Sequence, residues 1–392
     1  MNKPTDFDTE LARIDKELAG LDANVLAAPL SIERAMRYVY LLYQRASLTG
    51  RLDELTTAET VIDRLIAEVR NPSDLYFLKA NIDFKFHRLS DVRRDLESDR
   101  ELHDSPQGRA LLADLDFQEG RYAEARAGYE SVIRDERTWD ALARLAHFES
   151  KMGDLDAAER LYTEAADELT AKQMRHYAWL ELQRGLLDLT HGRREEARSH
   201  YRRAERAYSG YWMVEEHMAE LLAAEGKYDD AVALYQKVIA RLPRPEFKQG
   251  LGELYEYIGE TEKAQAFYES ALTDYLASAQ RGEVHYYHHL VDFYADVRRD
   301  GAEAVHWALK DLELRDNYAT RAALAWALYR ADRIAEALAE INRALSAGAQ
   351  DAHLFLRAGR IHRAAGLEAD ADRYAQMAAA LNPRHQSFHV HR

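Results

Sequence analysis

The sequence has no cysteine in 392 residues. Disulfides, thiol nucleophiles and cysteine metal sites are therefore excluded outright. Positive charge is also scarce: Lys and Arg number 53 against 68 Asp and Glu, giving a formal charge of −15 and a pI near 5.6. That balance disfavours nucleic acid and anionic membrane as partners, since both demand clustered cations. Long apolar runs are missing too. The longest, Ala322 to Tyr329, is far short of a membrane span. The opening MNKPTDFDTELARIDKELAG lacks the basic start and apolar centre of a secretory signal, so a cytoplasmic protein is expected, or a periplasmic one if a signal peptide has been removed. There is no Gly-rich phosphate loop, G-x-S-x-G elbow or H-E-x-x-H helix, which leaves an enzymatic reading nothing to attach to. No catalytic residue and no cofactor are expected.

What the sequence does contain is a phrase that recurs. GRYAEARAGYESV at 120, GDLDAAERLYTEA at 153, GRREEARSHYRRA at 192, GKYDDAVALYQKV at 226 and GETEKAQAFYESA at 259 share a Gly, an Ala five residues on and a Tyr nine residues on; their separations are 33, 39, 34 and 33. Seven residues before each Gly is a small residue: Ala113, Ala146, Gly185, Ala219 and Gly252. A unit of about 34 residues that cannot bury its apolar face alone is the mark of a helical solenoid. The Gly suits a reversal between two antiparallel helices. The small residues allow close approach, and the Tyr ring fills the gap between repeats. Weaker copies keep the frame with His87, Arg299 and Asp332 in the Gly place and with Gly366, while Gly50 opens a degenerate first unit. Pro243 and Pro383 each fall seventeen residues after their Gly, where the second helix has ended. Pro29 and Pro72 sit at proposed junctions, with Ser31 a candidate N-cap.

These residues resemble the tetratricopeptide repeat family, and the stretch from about 280 to 385 is similar to bacterial members of unassigned role. The resemblance implies an all-α, right-handed superhelical solenoid of about nine helix-turn-helix repeats. A helical cap is expected over residues 1–49 and one continuous array over 50–392. It also implies a scaffold or adaptor that binds a protein or peptide in its concave face, lined chiefly by the first helices. Counted ten and six residues before the Gly or its replacement, the groove positions include Glu216, Glu220, Glu253, His289, Phe293, Trp326 and Arg360. The middle of the groove is thus expected to be acidic and its C-terminal part apolar, fitting a partner with a basic segment followed by an apolar anchor. The Lys and Asn clamp of chaperone-binding members is missing from the matching positions.

The alternative is a ligand- or metal-binding accessory protein, possibly exported. It rests on GEVHYYHHL, where His285 and His289 are four apart and Asp292 and Asp296 follow. Two imidazoles are not a metal site, so no metal is expected. His385, His389 and His391 are read as part of a flexible end.

Overall fold

The computed structural model describes residues 4–25, 31–69 and 73–388. Pro29, Pro72, His389 and His391 lie outside them. Among the described residues the chain forms 22 α-helices, one π-helical stretch and no strand. No helix is long and apolar enough to cross a membrane.

The helices pair consecutively, and each pair reverses through one residue in the left-handed region. Glycine fills that place at Gly120, Gly153, Gly192, Gly226, Gly259 and Gly366, with φ between 72° and 91°. Where glycine is replaced the conformation stays: His87, Arg299 and Asp332 have φ of 56°, 55° and 59°. A side chain there costs about 1–2 kcal/mol, so packing of the hairpin, not the residue type, fixes the turn. The hairpin of Trp139–Met152 and Leu155–Asp167 shows how local signals support it. The Thr138 hydroxyl accepts from the Ala141 N–H at 3.3 Å, Gly153 closes the first helix, and Asp154 accepts from the Ala157 N–H at 3.0 Å to start the second. Gly50 makes a tenth such turn, because Ile32–Thr49 pairs with Asp53–Glu68 as a hairpin of its own.

Inside the central hairpins the five alanines and five tyrosines of the motif are all buried; none is more than 4% exposed. The small residue and the tyrosine belong together. A Cβ added at Gly185 would meet the Tyr201 ring at 2.2 Å, and one at Gly252 the Tyr268 ring at 2.7 Å.

Contacts group the chain into two units: residues 1–112 with 208–211, and residues 113–207 with 212–392. In the first, Asp6–Val25 lays Phe7, Ile14 and Leu18 into a core with Ile32–Thr49. Four buried or half-buried charged groups, Glu59, Asp83, Arg88 and Asp95, meet between its later helices.

The second unit closes on itself. The turn at Gly120 abuts the backbone of Asp316, the turn at Gly153 abuts Gln350, and the turn at Gly192 abuts Asn382 and Arg384. Each pair is six repeats apart, so one wind of the array rests on the next in register. Hydrogen bonds cross this seam: Asn317 Nδ2 donates to the Gln118 carbonyl at 3.0 Å, the Tyr318 N–H to the Tyr122 hydroxyl at 2.7 Å, and the Gln350 N–H to the Met152 carbonyl at 3.2 Å. Gly259 and Gly366 have the same backbone conformation, yet an added Cβ there would meet nothing within 4 Å.

Candidate functional site

Closure of the seam encloses a cavity of about 1070 Å³ within the second unit. Its wall comes mostly from first helices. Trp139–Met152 supplies His147 and Lys151, Met174–Thr190 supplies Leu186, Tyr318–Arg330 supplies Trp326, and Ala352–Ala364 supplies Arg357 and Arg360.

Trp326 is the best-defined feature. Its Nε1 donates to both carboxylate oxygens of Asp296 at 3.1 Å, and its ring lies over Tyr329 with centroids 4.9 Å apart. The guanidinium carbons of Arg330, Arg357 and Arg360 are 5.9, 5.8 and 5.6 Å from the ring centroid, within cation–π range. Arg357 is held by Asp292 at 2.8 Å and Arg330 by the Ala295 carbonyl at 2.7 Å, whereas Arg360 is exposed. Desolvation pushes the Asp292 carboxyl above its usual range, with Arg357 opposing. Burial does the same to Asp311, opposed by Arg315, which binds it at 3.0 and 3.1 Å. His147 is pulled down to about 3, first by burial and then by Lys151, so it faces the cavity as a neutral ring at neutral pH. Trp326 is itself 4% exposed and holds the wall in place, while half-buried apolar side chains and the accessible Arg360 guanidinium can seat an extended segment by apolar contact and hydrogen bonding.

Of the seven positions counted from the sequence, Trp326 and Arg360 line this cavity. Glu216 and Glu220 are 3% and 0% exposed, packed toward the Tyr201 and Tyr235 hydroxyls. Both phenols are raised well above their usual range, by burial foremost and then by these carboxylates. Glu253 is half-buried and accepts from Gln249 Nε2 at 2.9 Å. His289 stacks on Tyr275, centroids 5.5 Å apart, and Phe293 is fully buried edge-on to Tyr268.

The displacement of the last two has a clear origin. Residues Phe293–Arg298 form a π-helix, which spends one more residue per turn than an α-helix. Counting back from Arg299 with α geometry therefore lands one residue late, and the residues facing the cavity are His288 and Asp292. The only trace in the sequence is a polar Asp292 where the frame calls for a small residue. The His285–His289 pairing also changes, because the helix begins at Tyr287. His285 lies in the preceding turn against Tyr286 and is pulled down to about 4 by burial. Among the described residues no group of three His, Cys, Asp or Glu side chains could hold a metal. Sequence reasoning did not place Arg357, Asp296 or residues 382–388 at this cavity: Arg357 reaches it from a first helix, Asp296 from the π-helical stretch, and residues 382–388 from across the seam.

The sequence model of the tetratricopeptide repeat matches residues 245–273. This is the hairpin of Pro245–Tyr257 and the start of Thr261–Gln280, whose turn, small residue and buried tyrosine recur along the array. Residues 245–273 are a tetratricopeptide repeat, and the rest of the array is consistent with that family.

Solved structures similar to this chain include the anaphase-promoting complex hetero-tetramer Cut9–Hcn1, at 16% identity over 95% of this chain and 79% of that one, TM-score 0.43. A tetratricopeptide repeat protein from Parabacteroides merdae matches at 17% identity over 65% of this chain and 98% of that one, TM-score 0.42. A thermophilic member from Thermus thermophilus matches at 23% identity over 43% and 91%, TM-score 0.36. The scores are low, and the assignment rests on the repeat itself. No curated protein sequence matches the chain.

Proposed function

We propose that this tetratricopeptide repeat protein is a non-enzymatic interaction scaffold, and that the inner face of its second unit takes an extended segment of a partner protein. The supporting observation is Arg360, exposed over the face of buried Trp326 on the wall of a cavity large enough for several residues of peptide. An apolar side chain of the partner packs against Phe117, Leu186 and Leu356, half-buried on that wall, where burial of an apolar anchor supplies much of the affinity. Glu216 and Glu220 are enclosed among tyrosines, so basic residues of the partner are met instead by Asp296 and Asp351 on the cavity wall. Cytoplasmic residence remains part of this proposal.

Arg360→Glu is the clean test, because the side chain is exposed and the substitution leaves packing intact. Peptides selected from a random library against the wild-type chain should lose at least tenfold in affinity for Arg360→Glu, at an unchanged melting temperature. Selected peptides that bind both proteins equally would move the interaction off this face.

A further inference from the structure

The segment following the last described helix, Glu368–Leu381, crosses the seam and runs along the cavity. At the two preceding steps of the seam the loop leads at once into a first helix, Tyr318–Arg330 or Ala352–Ala364. At the third step residues 382–388 enter the same place without forming a helix. They are braced locally, with Asn382 Oδ1 accepting from the Arg384 N–H at 2.9 Å and the Arg384 carbonyl from the Ser387 N–H at 2.9 Å.

Their contacts to the opposite wall have the form of peptide recognition. Asn382 Oδ1 covers Gly192, where an added Cβ would meet it at 2.7 Å. Arg194 Nη2 donates to the Ser387 hydroxyl at 2.6 Å. Phe388, 3% exposed, meets the Tyr257 ring edge-on with centroids 5.5 Å apart. One feature opposes the contact. Arg384 lies against the Gly192 turn, and Arg194 is held below its usual pKa by burial and then by the Arg384 charge. A surface that binds an amide, a hydroxyl and a ring, but repels the cation between them, fits another segment better than the one it holds.

We propose that residues 382–388 are an intramolecular occupant of a peptide seat built from Gly192, Arg194 and Tyr257. In trans the seat takes a partner segment carrying a small polar residue, then a neutral or acidic residue in place of Arg384, then a hydroxyl followed by an aromatic anchor. This deepens the scaffold reading and rests on it: the partner gains the inner face by displacing the chain's own segment.

The probes are two labelled peptides, Asn-Pro-Arg-His-Gln-Ser-Phe and the same with Glu for Arg, titrated by fluorescence anisotropy against the full chain. Wild type, with its seat filled, should bind both weakly. Phe388→Asp, which drives the anchor out, should bind both at least tenfold more tightly, the Glu peptide ahead of the Arg peptide by fivefold or more. Adding Arg194→Ala should remove the gain. A Phe388→Asp chain that binds no better than wild type, or binding indifferent to Arg194→Ala, overturns the proposal. Hydrogen exchange on the wild-type chain gives a readout independent of any variant. Saturating Glu peptide should speed exchange at residues 384–388, and unchanged exchange also overturns it. If library-selected peptides still depend on Arg360 while the seat fails these tests, the scaffold reading stands without it.

Discussion

Replacing Tyr201 or Tyr235 with alanine is expected to cost about 3–5 kcal/mol, the range for removing a large ring from a packed core. Each ring is completely buried, and Tyr201 occupies the hollow left by Gly185, where even one added carbon would strike it. Chemical denaturation monitored by circular dichroism measures the loss, and an unchanged midpoint would put the tyrosines on the wrong face. The hydroxyls separate a second contribution. Neither Tyr201 Oη nor Tyr235 Oη has a hydrogen-bond partner among the described residues, so phenylalanine at either place should be neutral or stabilising by up to about 1 kcal/mol. Tyr275→Phe should instead cost about 1 kcal/mol, because it removes the 2.9 Å bond to Gln249 Oε1.

The second large effect concerns pH and the first unit. Asp83 and Asp95 are 1% and 3% exposed, and the Asp83 carboxyl is pushed up to about 7, by burial first, with Arg88 opposing and Asp95 adding to the rise. A folded-state pKa above the unfolded value means the native state holds the extra proton. Stability from this group is fully present below about pH 4 and is lost as pH rises to about 7. Asn mimics the protonated form, so Asp83→Asn should flatten the decline between pH 5 and 8. A tenfold difference in proton affinity between folded and unfolded chains is worth about 1.4 kcal/mol. Relaxation around Arg88 returns part of the total, which leaves Asp83→Asn about 2 kcal/mol more stable than wild type at pH 8. Denaturation series at pH 5 and pH 8 decide it; parallel slopes for the two proteins would show that Asp83 is ionised in the fold throughout.

The period was enough to place the turns at His87, Arg299 and Asp332 along with the glycine ones, because the residues five and nine after are buried packing positions that keep their spacing when the glycine is lost. The tyrosine core was legible for the same reason. The seam was not. Gly120 and Gly259 carry the same motif and nearly the same φ, yet only Gly120 meets a second wind of the array. That difference accumulates from small rotations per repeat, which no single residue records. The inner face was legible where the hairpin is regular, at Trp326 and Arg360. It was displaced by one residue where the π-helix intervenes, and it was misjudged at Glu216 and Glu220, which are buried near Tyr201 of the preceding repeat and Tyr235 of their own instead of lining the cavity. Those two carboxylates are consequently poor sites for charge reversal, since burying a cation there would unfold the chain before it reported on binding.

The central claim is that partners bind the inner face of the second unit. Site-specific photo-crosslinking tests it most directly, with p-benzoylphenylalanine placed either at Ala323 on the cavity wall or at the exposed Ala339 of Ile334–Ser346. With a library-selected peptide bound, the label at Ala323 is expected to capture the peptide and the label at Ala339 is not. Capture from Ala339 with none from Ala323, in folded proteins that both bind the peptide, would contradict the account.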